Sequence, residues 1–351
     1  MAISEKNIGI APSGDEAVLY TIVNKNGTEA SFCNIGAVWV SMLVPDKNGK
    51  LGDVLLGYDT ADGIYNNPES FGVIVGRNAN RIAKGRFKLN GKEYQLALNN
   101  NGNNLHSGPE VFGKRCYKAL KNEAENSIIF SLVSEEGDQG YPGELVVEVK
   151  YELTDEDELI ISYRLEATTE DTVANMTCHP YFNLAGHASG SALEQEMQIF
   201  ADEFCEIDET VLASGTIAKV ENTAFDFREP KMIGTDIKSA NMQLKLANGY
   251  DHNFCIRDYD GSLRQAAVCY DRNSGRKMTV YTNMPGIQLY TGNFLDENNK
   301  AKEGVYYKPY DGYALETQYY PNAINVPEWK QPVIHKNEVQ NFETRYCFSI
   351  E

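Results

Sequence analysis

The sequence predicts an all-β protein, a large antiparallel β-sandwich or distorted barrel built as one domain spanning residues 1–351. Three observations predict it. Apolar and polar residues alternate with period two over long stretches, Asn-Gly pairs punctuate the alternation, and helical periodicity is rare and short. The 351 residues are 42% hydrophobic and 23% charged, which is enough apolar material for a large core and excludes a disordered chain. All-β folds often exceed the usual domain length as one unit, and no Gly/Ser-rich or Pro-rich linker, repeat or low-complexity tract divides this chain.

The elements follow in chain order. Asn26-Gly27 and Asn48-Gly49 are hairpin turn signals near the N-terminus. Thr60 to Asn66 reads as a short helix of a turn or two, ended by Pro68. Phe87 and Leu89 precede Asn90-Gly91, and Tyr94 and Leu96 follow it, a hairpin signal because both turn positions need positive φ. Val147, Val149, Tyr151 and Leu153 share one face, with Glu148, Lys150 and Glu152 on the other. After the acidic turn Asp155-Glu156-Asp157-Glu158, Ile161, Tyr163, Leu165 and Ala167 alternate with Ser162, Arg164 and Glu166. These two runs predict a half-buried antiparallel hairpin. The 21 tyrosines suit strands, and some are available to face a sugar.

Charge and cysteine usage narrow the function. Lys and Arg number 32 against 50 Asp and Glu, a net charge of −18. Such a surface repels phosphate backbones, so nucleic acid and anionic membrane are excluded as partners and phosphorylated substrates are disfavoured. The seven cysteines are scattered, odd in number and without a CxxC pair, which points to reduced thiols. Met1 to Ile10 carries Glu5, Lys6 and Asn7 and lacks the apolar stretch of a secretion signal. No run of eighteen apolar residues occurs, so a cytoplasmic protein without a membrane-spanning helix is expected.

Four segments depart from structural strand sequence. Gly76-Arg77-Asn78-Ala79-Asn80-Arg81-Ile82 crowds planar, directional donors of the kind that fix several sugar hydroxyls. Asn103-Asn104-Leu105-His106-Ser107-Gly108 is a polar loop with one histidine. In Asn175 to Leu184, His179 precedes Pro180 and the aromatic pair Tyr181-Phe182. In Leu315 to Pro321, Glu316 sits among apolar and aromatic neighbours, where desolvation raises a carboxylate pKa. Singly, each has an ordinary structural explanation. Two histidines and a glutamate also match a catalytic zinc set, but the HExxH spacing is absent and the three lie far apart in sequence. Neither a metal nor a cofactor is expected, and no dinucleotide or phosphate-binding glycine loop is present.

Together these segments resemble the aldose 1-epimerase (galactose mutarotase) family over nearly the whole chain. The resemblance is carried by Gly36-Ala37, the Val44-Pro45-Asp46 to Gly49 turn, Leu55-Leu56-Gly57-Tyr58, Gly76 to Ile82, Leu105-His106 and Gly140-Tyr141-Pro142-Gly143. It continues through His179 to Gly186, Thr223 to Pro230, Gly249 to Asn253, Gln288 to Asn293 and Glu316-Thr317-Gln318. It implies a β-sandwich of the galactose mutarotase-like type acting on a small-molecule aldose, without cofactor; the sequence reading allows a monomer or a homodimer. By the same resemblance Glu316 is the general base, His179 the general acid, and His106 binds the sugar and polarises its ring oxygen. Asn80, Arg81, Asp251 and Gln288 match positions that hold the hydroxyls, and Tyr181 and Phe182 are expected at the pocket floor. Ser107, Asn78 and Cys178 depart from the family pattern and bear on substrate preference, not on reaction class.

Interconverting anomers needs one proton removed from the anomeric hydroxyl and one delivered to the ring oxygen. Glu316 is therefore expected to start ionised and His179 protonated. Three rival readings share parts of this site. A glycosidase would use Asp251 and Glu316 as its carboxylate pair. A hexose-6-phosphate epimerase would need a cationic cradle, for which Arg77, Arg81 and Arg86 are the local candidates. A noncatalytic carbohydrate-binding protein would share the hydroxyl-binding residues without needing an acid and a base together.

Overall fold

Strands Leu145–Leu153 and Glu158–Ala167 form the expected hairpin, with Val149 opposite Tyr163 and buried residues alternating with half-buried ones along both. They lie within a nine-stranded antiparallel sheet that also contains Val339–Ile350 and Arg276–Thr282. A six-stranded antiparallel sheet runs in the order Tyr181–Phe182, Tyr313–Gln318, Gly286–Tyr290, Asp251–Ile256, Ala201–Ile207 and Ala213–Lys219. The N-terminal third adds a five-stranded meander from Ser4–Ile10 to Leu51–Asp53. The computed structural model describes residues 3–351, so Met1 and Ala2 of the N-terminal stretch lie outside the described residues.

The inner faces of the three sheets meet in one apolar cluster. Val147, Val149 and Tyr151 come from the nine-stranded sheet, Phe254, Ile287 and Leu315 from the six-stranded sheet, and Phe32 and Met42 from the meander. Phe32 stacks on Tyr151 at 4.3 Å, and Tyr346 donates its hydroxyl to the Leu315 carbonyl at 3.0 Å. Each pleated sheet therefore spends one face on the common core, the arrangement of a β-sandwich. Among the described residues, no helix is long and apolar enough to cross a membrane.

The turn signals resolve into two kinds. Asn90 and Gly91 both have positive φ, 51° and 80°, and join Arg86–Leu89 to Lys92–Gln95 with Phe87 stacked on Tyr94. At the two earlier Asn-Gly sites only the glycines, Gly27 and Gly49, are left-handed. There Asn24 and Asp46, two residues before each asparagine, accept backbone N–H bonds from across their loops. That side-chain capping favours a three-residue loop with glycine in the left-handed position over the two-residue turn. The expected helix is present as Ala61–Asn66, started by Thr60, whose hydroxyl accepts from the Gly63 N–H.

Candidate active site

Pairing in the six-stranded sheet aligns two cross-strand rows. Tyr181 faces Ala314, Ala314 faces Tyr290, and Tyr290 faces Asp251. Two residues along each strand, Glu316 faces Gln288 and Gln288 faces Asn253. Residues two apart share a face, so both rows project to one side of the sheet, while Leu289 and Leu315 project to the core.

Two loops close over this face. Arg81–Ile82 pairs with Asn104–Leu105, and the adjoining Asn80 and His106 both adopt positive φ, 57° and 52°. They are clasped twice: the His106 N–H donates to the Asn80 carbonyl at 3.0 Å, and the Asn80 N–H donates to His106 Nδ1 at 3.1 Å. The second bond assigns the tautomer, with Nδ1 the acceptor and hydrogen on Nε2. Donor atoms of His106, His179 and Glu316 lie within 4.8 Å of one another. This is nonetheless a poor metal site, because His106 would have to give up the Asn80 bond to free a lone pair on Nε2.

His179 is held by its main chain, donating to the Val73 carbonyl at 3.0 Å and accepting from the Gly72 N–H at 2.8 Å. Its Nε2 lies 3.4 Å from Glu316 Oε1, and both side chains are buried. Burial pushes the imidazole down to about 4. Burial first, then the charge of Asp251, pushes Glu316 well above the usual carboxylate range, with Arg81 opposing. Both shifts run against the expected ionised Glu316 and protonated His179. Desolvation disfavours both charges, so it favours a carboxylic acid beside a neutral imidazole over the ion pair. The number of protons on the pair is the same in either arrangement.

A cleft with about 350 Å³ of space is lined by Asn80, Arg81, His106, His179, Asp251 and Glu316, six of the seven residues singled out from sequence. Gln288 stands behind them, donating from Nε2 to Asp251 Oδ1 at 2.6 Å. Arg81 reaches Asp251 from the other side at 3.7 Å and donates from Nε to Asn100 at 3.0 Å. Tyr181 lines the cleft, but Phe182 packs in the core against Trp39 and Tyr346. Adjacent strand residues point to opposite faces, so the two could not share the floor.

Arg77 is likewise no sugar ligand. It is fully buried and donates to Ser134 Oγ and to the carbonyls of Ser134, Glu135, Pro142 and Gly143. The departures Ser107 and Asn78 meet each other, with the Asn78 N–H donating to Ser107 Oγ at 2.8 Å. Cys178 is core, its thiol near Tyr151 and pushed up to about 12 by burial.

Sequence reasoning missed the outer wall, which includes Glu69, Ser70, Tyr290, Phe294, Asp296 and Asn299. Tyr290 was recoverable, since it stands two residues after Gln288 and shares its face. The loop residues carry no periodicity that would have found them. Glu69 is fixed by Tyr58 Oη at 2.6 Å and Asn299 Nδ2 at 2.8 Å, a link between two loops at the cleft mouth.

The aldose 1-epimerase family profile matches residues 18–347. The chain is 39% identical over 350 residues to a galactose mutarotase of Rattus norvegicus, covering 100% of this chain and 99% of that one. It is 34% identical to an aldose 1-epimerase of Escherichia coli (strain K12), covering 97% and 98%. Among solved structures, an aldose epimerase homologue from C. elegans superposes with a TM-score of 0.88 at 31% identity, covering 95% and 99%. A galactose 1-epimerase from Lactobacillus acidophilus gives 0.87 at 25% identity, covering 100% and 99%.

Proposed function

The chain belongs to the aldose 1-epimerase family, and we propose that its cleft interconverts the α and β anomers of free hexoses such as D-galactose and D-glucose. In this reading Glu316 is the general base and His179 the general acid. The observation that carries it is the buried approach of His179 Nε2 to Glu316 Oε1, 3.4 Å, inside the cleft. A carbohydrate-binding protein has no use for such a pair.

The pair holds one proton. Passing it from Glu316 to His179 creates the carboxylate and imidazolium that the reaction consumes, and sugar hydroxyls together with Arg81 stabilise that charged form. Glu316 takes the anomeric hydroxyl proton while His179 protonates the ring oxygen, the C1–O5 bond breaks, and the aldehyde forms. Rotation about C1–C2 presents the other carbonyl face. The ring oxygen's hydroxyl attacks it, returning its proton to His179 while Glu316 protonates the new anomeric oxygen. Asn80, Arg81 and Asp251 hold hydroxyls through the open-chain stage, Gln288 holds Asp251, and His106 directs its Nε2–H at the ring oxygen. No Lys or Cys is found among the lining residues, so the aldehyde meets no amine or thiol that would trap it.

Neutral sugars fit the charge of the cleft better than phosphosugars. Glu69, Asp251 and Asp296 line it against one guanidinium, Arg81. Arg77 is enclosed by carbonyls and Arg86 lies on an exposed hairpin, so no phosphate cradle forms. The single apolar cluster shared by all three sheets supports one domain, and seven free cysteines support a cytoplasmic setting. The chain is read as working as a monomer or homodimer.

Polarimetry of freshly dissolved α-D-galactose, α-D-glucose and α-D-glucose 6-phosphate tests the proposal. Both free hexoses should equilibrate well above the spontaneous rate and faster than the phosphate. No acceleration, or a preference for the phosphate, overturns it.

A further inference from the structure

We propose that Tyr181 is a positioning residue for the reaction: its ring sets the imidazole plane of His179 against Glu316. The inference rests on the assignment of His179 as the acid. The side chain of His179 lacks the anchor that orients most catalytic imidazoles, a carboxylate or carbonyl on the second ring nitrogen. Its Nδ1 is buried without a hydrogen-bond partner among the described residues.

Ring contacts take the place of that anchor. The Tyr181 and His179 rings stack with centroids 5.0 Å apart and planes 24° from parallel. His106 meets His179 edge-on at 5.5 Å and 77°. Tyr181 is itself immobilised on every side. Its hydroxyl donates to the Glu69 carbonyl at 3.0 Å, and Phe71 and Tyr290 pack edge-to-face at 4.9 and 5.8 Å. Its main chain pairs with Ala314, two residues before Glu316 on the same strand. Acid and base thus share one support, because the strand that projects Glu316 also fixes the ring on which His179 lies. The imidazole can turn about its Cβ–Cγ bond only by breaking that stack. Misplacement of a reacting group by about 1 Å costs on the order of 10²-fold in rate.

The test compares Y181L, which deletes the ring, with Y181F, which keeps it, in kcat, KM and the pH profile of kcat/KM. Y181L should lower kcat by roughly 30- to 100-fold with KM within about threefold, and Y181F should recover most of that loss. The titratable and charged groups facing His179 are Glu316 and His106, with Arg81 and Asp251 beyond them, and Y181L leaves all four in place. Removing the covering ring admits water, so the acid limb of kcat/KM should also move up toward the ordinary histidine range. Y181M fills the space without a flat ring and carries the same expectation should Y181L fail to fold. The inference is overturned if Y181L or Y181M keeps kcat within about threefold of wild type, if the loss falls on KM alone, if Y181F is as impaired, or if the limb does not move. H179A assayed in parallel separates the two claims: an active H179A sinks the acid assignment itself, whereas an inactive H179A beside an unimpaired Y181L sinks only the positioning role.

Discussion

Replacing Glu316 with glutamine tests the base assignment with the least structural disturbance. The two side chains have the same shape, and the site already favours an uncharged group, since burial raises the Glu316 pKa well above its ordinary range. One carboxyl oxygen faces His179 Nε2 at 3.4 Å and the other is buried without a hydrogen-bond partner among the described residues. The amide keeps the size and planarity of the carboxyl group, so the fold and the rest of the cleft lining should be undisturbed. What the amide cannot do is accept the anomeric proton. A positioned general base is worth about 10²–10⁴ in rate. At about 1.36 kcal/mol per decade, that is a barrier increase of roughly 2.7–5.4 kcal/mol. The assay is the optical rotation of freshly dissolved α-D-galactose, corrected for spontaneous mutarotation, together with galactose affinity by calorimetry. E316Q should bind galactose within about threefold of wild type and equilibrate it at least about 10²-fold more slowly. Wild-type equilibration by a folded E316Q would falsify the assignment.

Two further expectations come from other parts of the structure. The active pair carries one proton, so activity falls at low pH when His179 gains a second and at high pH when the last is lost. Since burial lowers His179 to about 4, kcat/KM, which reports the free enzyme, should show an acid limb near 4; a limb at the ordinary histidine value near 6.5 refutes the buried, neutral imidazole. Arg77→Met should destabilise the fold by about 3–5 kcal/mol, because it removes the donors to the Ser134, Glu135 and Gly143 carbonyls and one of the two donors to Pro142. For a chain of this length that is a fall in Tm of about 5 °C by calorimetry, and an unchanged Tm refutes the structural role of Arg77.

The Arg77 and Arg81 pair shows how far sequence reading reaches. Both lie in one donor-rich segment and carry the same chemistry, yet Arg77 is enclosed by carbonyls and Arg81 lines the cleft. Residue type promises hydrogen bonding but not the partner. The same limit applies to Phe182, whose aromatic character suited a pocket floor until strand alternation sent it to the core. Gln288 shows a milder form, since its place in the sheet puts it behind Asp251, where it holds that carboxylate and does not line the cleft.

The chain's pattern of alternation and turn residues determined by itself an all-β protein, because period two is a property of the extended backbone and needs no long-range information; sandwich over barrel came from the family resemblance. Ordered motifs determined the family and singled out six side chains that the structure brings to one cleft. Only the tertiary structure decided how those side chains act together. Strand pairing set Glu316, Gln288, Tyr290 and Asp251 on one face, and packing buried the side chains of His179 and Glu316 beside each other. That burial, a sum over neighbours distant in sequence, disfavours charge on both.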